Sequence, residues 1–212
     1  MCNVERRSGG RTALQSATAA ALIAFAPIGT PALVWAQTIR DADISRRLAA
    51  GDIVIEVTAL AEGTGGRVTA IIDIPASQRR LWDVMLDCRR SLRIVESMKS
   101  CKVTSADPGG SWDVREHVVQ WLWPLPTVRS VFRSEYVPFE RIGFRRSDGD
   151  LKMLQGAWHL EPLPAGRGTR LHYDATIDPG VPLPGFLVRD AIKADARKTL
   201  AALRREAAVD GL

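Results

Sequence analysis

Polar and apolar positions alternate with a period of two over much of this chain, and the spacing turns helical in three places. Ile53 to Leu60 and Arg67 to Ile74 are β-rich runs separated by Glu62-Gly63-Thr64-Gly65-Gly66, which predicts a hairpin. Pro75-Ala76-Ser77 ends the second run with Ser77 placed as a helix N-cap, and Leu81, Trp82, Val84, Met85 and Leu86 follow at helical spacing. A second short helix is predicted from about Arg90 to Met98, with Leu92 and Val95 turned inward. From Lys99 the pattern becomes strand, turn, strand, with runs near 100–106, 111–122, 127–137, 141–147, 151–161 and 169–177. Connections that short make antiparallel neighbours, so the order is a meander. Gly185 to Ala207 reads as one long amphipathic helix whose stripe of Val188, Ile192, Ala196, Thr199 and Leu203 must face the sheet. That stripe is made of small and medium side chains, which is compatible with space between helix and sheet.

Alternation also assigns faces. Val128, Phe132 and Tyr136 share one side of their strand, opposite Arg129, Arg133 and Glu135; Leu171, Tyr173, Ala175 and Ile177 oppose Arg170, His172, Asp174 and Thr176. In a meander, successive turns fall at opposite ends of the sheet. The turns at 107–110, 138–140 and 163–168 therefore share one end, and those at 121–126, 148–150 and 178–186 share the other with the connection near Met98. Two loops at that second end are unusually apolar: Trp121-Leu122-Trp123-Pro124-Leu125-Pro126 and Val181-Pro182-Leu183-Pro184-Gly185-Phe186. Since turns are normally polar, the pair predicts a hydrophobic mouth, the alternative being tryptophans that plug the end of the sheet.

Composition changes the picture at the N-terminus. A basic start (Arg6, Arg7, Arg11) precedes an apolar stretch from Ala19 to Val34, closed by Val34-Trp35-Ala36. This predicts a signal peptide over residues 1–36, cut after Ala36, and hence a periplasmic protein. Pro27, Gly29, Thr30 and Pro31 interrupt the stretch, which argues against a spanning anchor. A polar connector over 37–50 and one domain over 51–208 complete the organisation. The net charge of +5 falls to +3 when Glu5, Arg6, Arg7 and Arg11 leave with the leader, too little and too interleaved with acids for a nucleic-acid partner. Cys2 leaves too, so Cys88 and Cys101 remain in an oxidising compartment, either joined in a disulfide or buried as two thiols.

Ile74-Pro75-Ala76-Ser77 followed by Leu81-Trp82-Asp83-Val84-Met85-Leu86-Asp87 resembles the opening of the START-like superfamily, also called SRPBCC, in its polyketide cyclase/dehydrase and coenzyme Q-binding branches. Gly156-Ala157-Trp158-His159-Leu160-Glu161-Pro162, Gly168-Thr169-Arg170-Leu171-His172-Tyr173 and Pro182-Leu183-Pro184-Gly185-Phe186-Leu187-Val188 resemble its closing strands and last helix. The resemblance covers about residues 67–207. It implies an α+β helix-grip fold, in which a curved antiparallel sheet wraps around a long C-terminal helix and two short helices follow the first core strand. The hairpin strand 53–60 stands outside that pattern.

The resemblance also implies an internal cavity for a hydrophobic small molecule such as a lipid, isoprenoid quinone or polyketide-like compound. Trp82, Met98, Phe132, Tyr136, Phe144, Trp158, Tyr173 and Ile192 are expected along it, with Trp121, Trp123 and Phe186 at a mouth that makes transient membrane contact. The alternative is a cyclase or hydrolase using polar groups in the same cavity. Glu116, between Val114 and Val118, is the acid of interest if that face is inward, although Arg115 and His117 compete for the inside. His117, His159 and His172 sit in no motif, and no metal-ligand cluster, nucleophile elbow, phosphate loop or dinucleotide fingerprint is present, so neither a metal nor a cofactor is expected.

Overall fold

The computed structural model describes residues 31–120 and 127–208. The chain divides into two compact units, Met1–Thr38 and Ile39–Leu212. In the first, the described part is the start of helix α1 (Pro31–Ala49). Residues 37–49, expected as a polar connector, are helical, and the helix runs through Ala36. Most of the expected leader and the loop at 121–126 lie outside the described residues. Among the described residues, no helix is long and apolar enough to cross a membrane.

The second unit continues with β1 (Val54–Ala59), β2 (Gly66–Ile74), α2 (Gln78–Leu86), α3 (Cys88–Ile94), β3 (Met98–Ala106), β4 (Trp112–Val119), β5 (Val128–Val137), β6 (Arg141–Gly149), β7 (Met153–Pro162), β8 (Thr169–Asp178) and α4 (Gly185–Ala208). All eight strands join one antiparallel, curved sheet in the order β1-β2-β8-β7-β6-β5-β4-β3. This is the expected α+β helix-grip architecture.

Period-two patterning builds the floor of the core. Val68, Ala70, Ile72 and Ile74 alternate along β2 and are buried, next to Leu171 and Ala175 of β8. The β1–β2 turn passes so close to β8 that a Cβ on Gly65 would stand 1.9 Å from the Ile177 carbonyl oxygen, so only glycine fits there. Ser77 caps α2 by accepting from the Arg80 N–H at 3.2 Å, and Asp87 caps α3 by accepting from the Arg89 N–H at 2.8 Å. α4 lays Val188, Ile192, Leu200, Leu203 and Ala207 on the sheet, completing a cluster with Leu81, Trp82 and Val84 of α2 and Ile94 of α3. Burying each such side chain contributes about 1.5–3 kcal/mol.

Two phase expectations need correction. α3 starts at Cys88 rather than Arg90, so its inward face carries Ser91, Ile94 and Val95 while Leu92 is 44% exposed. On α4 the deepest residues toward its end are Leu200, Leu203 and Ala207; Ala196 and Thr199 are only half-buried. The helix sinks into the sheet along one edge of its stripe and leaves the other over a hollow.

Candidate functional site

Strands β4 to β7 form one wall of that hollow, a cavity of about 150 Å³. They contribute Arg115 and His117 from β4, Phe132, Ser134 and Tyr136 from β5, Ile142 and Phe144 from β6, and Trp158 from β7. Met85 and Leu86 at the end of α2, Ser91, Ile94 and Val95 around α3, and Thr199 and Leu203 of α4 close the other side. The wall is aromatic. Phe132 meets Phe144 edge-on at 6.3 Å, and Trp158 stacks on Tyr173 at 3.9 Å. Gly156 permits this: a Cβ there would come within 2.9 Å of the Phe144 ring and 2.2 Å of the Asp174 carbonyl oxygen.

Of the residues expected from the sequence, Phe132, Tyr136, Phe144 and Trp158 line the cavity, and Tyr173 lies against Trp158. Trp82 is buried in the apolar core with its ring 5.7 Å from Tyr136, and Met98 and Ile192 are buried outside the lining. Phe186 stands 59% exposed at the start of α4, beside exposed Leu183 and Leu187. Trp121 and Trp123 lie outside the described residues. Cys88 and Cys101 are joined in a disulfide. His159 and His172 are cross-strand partners on the side of the hairpin away from Trp158 and Tyr173, and His172 stands 3.3 Å from a Glu161 oxygen.

The phase of β4 is the opposite of the one that would make Glu116 interesting. Glu116 faces outward and accepts from Arg129 at 2.7 Å, so the buried-acid reading is corrected. The inward set is Asp113, Arg115 and His117. Arg115 donates from Nε to both Asp113 oxygens at 3.1 and 2.9 Å and places a second nitrogen 2.8 Å from Oδ2, with both side chains buried. Burial alone would weaken the guanidinium, but the Asp113 hydrogen bond and charge raise its pKa overall. Tyr136 completes this pole: its hydroxyl is buried close to Asp113, Arg115 and Ser134 and is pushed up to about 12, first by burial. The His117 imidazole, whose exposed part faces the cavity, is lowered to about 4, first by burial and then by Arg115. Near Ser97, burial raises the Asp195 carboxyl against the hydrogen bond it accepts at 3.4 Å.

The sequence signal for this pole was the spacing Asp113-x-Arg115-x-His117, three polar residues on one face of a strand. Chemically, the cavity offers an aromatic wall and, at one end, the Tyr136 hydroxyl beside the Asp113–Arg115 pair. At neutral pH the pole holds the Arg115 guanidinium paired with Asp113, a protonated phenol and a neutral imidazole. Among the described residues, no group of three His, Cys, Asp or Glu side chains could hold a metal ion.

A family model described as polyketide cyclase / dehydrase and lipid transport matches residues 74–204. No curated protein matches the chain. Among solved structures, a STAR-related lipid transfer protein from Xanthomonas axonopodis is similar at a TM-score of 0.61 and 16% identity, covering 74% of this chain and 93% of its own. Human STARD10 gives 0.61 and 13%, covering 82% and 80%. The Zhui aromatase/cyclase from Streptomyces sp. R1128 gives 0.56 and 15%, covering 67% and 93%. At these identities the likeness is one of fold.

Proposed function

The chain belongs to the polyketide cyclase / dehydrase and lipid transport family, and from that premise we propose that it binds and carries a hydrophobic molecule in the cavity between α3, α4 and the sheet. The observation that carries this reading is the composition of the lining: Phe132, Phe144, Trp158, Ile142 and Leu203 surround the space, and Arg115 with Tyr136 marks one end. A ligand with a flat apolar body and one accepting oxygen fits that division, which suits an isoprenoid quinone, a polyketide-like ring system or a lipid. Apolar burial drives binding at about 25 cal/mol per Å², and the polar end fixes orientation. Exposed Leu183, Phe186 and Leu187 provide a surface for transient membrane contact during loading. Export to the periplasm, with the leader cut after Ala36, is supported by the basic and apolar N-terminus and by the disulfide, a bond that persists in oxidising compartments.

The test is to express the full chain with its leader, extract the purified protein with organic solvent and identify co-purified molecules by mass spectrometry, alongside titration with an apolar fluorescent probe. Stoichiometric recovery of one apolar compound class, displaced by the probe, is expected. A clean extract together with no probe binding overturns the carrier reading.

The buried Asp113–Arg115 pair beside Tyr136 and His117 favours a second reading, a cyclase or hydrolase acting in the same cavity. Proton transfer near neutrality works best with groups titrating near neutrality, whereas Tyr136 is pushed up to about 12 and His117 is lowered to about 4. That mismatch supports the binding reading over the catalytic one.

A further inference from the structure

Helix α3 has seven residues, too few to be stable alone, yet it and the residue after it supply Ser91, Ile94 and Val95 to the cavity. Its apolar hold on the molecule is slight, because Ile94 is its buried side chain and Leu92 points to solvent. On the α4 side the segment is tied by polar contacts: Arg90 and Arg93 both donate to Glu206, Ser97 to Asp195 at 3.4 Å, and exposed Lys198 to Glu96 at 3.2 Å. Of these, the Lys198–Glu96 pair is exposed on both sides and restrains little. On the β3 side the attachment is covalent: Cys88, the first residue of α3, is bonded to Cys101 on β3, an edge strand, with the two Cα atoms 5.3 Å apart.

The cavity at about 150 Å³ is smaller than the ~300–1,000 Å³ of ordinary small-molecule sites. The cavity is open on one side, and a guest of more than one ring needs a wall to move if it is to be fully enclosed. The opposite wall consists of hydrogen-bonded strands, and α2 and α4 are anchored in the core through Leu81, Val84, Leu200 and Ala207, which leaves α3 as the lining element with the fewest buried apolar side chains.

From this geometry we propose that the Cys88–Cys101 disulfide is a thiol–disulfide exchange site for a dithiol, and that its redox state clasps or frees the α3 wall of the cavity. The proposal rests on the cavity being the binding site. Both cysteines are half-buried, so an attacking thiolate can reach them. His117 Nε2 lies 3.4 Å from Cys101 Sγ, and the same imidazole lines the cavity. Carrying its proton on Nε2, the neutral ring donates to the Cys101 sulfur and favours it as the departing thiolate. The dithiol attacks Cys88 and forms a mixed disulfide, and the Cys101 thiolate leaves and takes a proton from solvent. The second thiol of the reductant then attacks its own mixed-disulfide sulfur and releases Cys88, which is also protonated. The reductant ends as a disulfide, two electrons having passed to the protein.

The experiment compares the full chain oxidised, the same chain reduced with dithiothreitol, and the double variant Cys88→Ser/Cys101→Ser. Hydrogen exchange is followed by mass spectrometry across residues 88–98 and across β7 and β8, and the association rate of N-phenyl-1-naphthylamine by fluorescence. Reduction and the double variant should each speed exchange in 88–98 by about tenfold or more while β7 and β8 hold their rates, with probe association about threefold faster or more. Unchanged exchange in 88–98, or an equal rise throughout the sheet, overturns the clasp. A locally loosened segment with equal probe rates in both states also overturns it while leaving the binding site standing. No probe binding in either state removes the binding site itself, and the clasp falls with it.

Discussion

Asp113, Arg115 and His117 occupy alternate positions on the inner face of β4, where Arg115 and His117 line the cavity and Asp113 pairs with Arg115, so one strand supplies the site's charges. Arg115→Met leaves the Asp113 carboxylate buried without its partner and should destabilise the fold by about 3–5 kcal/mol in urea denaturation, whereas Asp113→Leu combined with Arg115→Met should recover most of that loss. Equal destabilisation by the single and double variants would contradict the pairing. His117 gives a pH signature. Its pKa falls from 6.5 in the unfolded chain to about 4 in the folded one, so between those values the unfolded chain binds the extra proton. Its contribution is fully present above pH 6.5 and is lost as pH falls toward about 4, a difference of about 3 kcal/mol against His117→Gln, measured as the pH dependence of unfolding free energy. A parallel profile for the two proteins would place the imidazole in solvent contact. The strand itself was legible in the sequence, but its phase was not. Val114, Glu116 and Val118 form the more apolar face by composition and lie outward, because the polar set neutralises itself and borders a hollow instead of packed side chains.

Helix α4 separates packing from vacancy along its length. Leu200 is 1% exposed in the core, whereas Thr199, one residue earlier, borders the cavity. Leu200→Ala should therefore cost about 2–5 kcal/mol and lower the melting temperature while leaving probe affinity nearly unchanged. Thr199→Leu should do the reverse: the larger side chain enters the hollow, stability changes by less than about 1.5 kcal/mol, and affinity for an apolar probe falls about tenfold or more. Thermal melts and probe titrations on the pair of variants check both outcomes, and a Thr199→Leu protein that binds normally would move the guest elsewhere. Element existence was readable here because the apolar spacing is sustained over six turns; which side of the stripe sinks deepest was not, since Ala196, Thr199 and Leu200 differ little in the pattern. α3 shows the same limit, where starting at Cys88 in place of Arg90 turned Leu92 out and Ile94 in.

Across the whole molecule, the order from β3 to β8 and the β1–β2 hairpin followed from turn length, since each short connection forces an antiparallel neighbour, whereas the pairing of β2 with β8, across the whole length of the meander, did not. Cavity size did not follow, because it is a small difference between large packed volumes and one methylene alters it. The volume of about 150 Å³ matches a single aromatic ring, since an apolar cavity of about that size holds benzene. Ligands should then sort by size. Neutral one-ring compounds should bind at rates that rise linearly with concentration, as expected for entry into a ready-made space. Compounds of two or more fused rings should bind through a slower step whose rate levels off, reporting the opening of the wall that they require. Stopped-flow fluorescence over a series of one-, two- and three-ring compounds measures this directly. Linear kinetics for every member would mean that the hollow is already wide enough in solution for the largest guest, and that α3 has no part in admitting it.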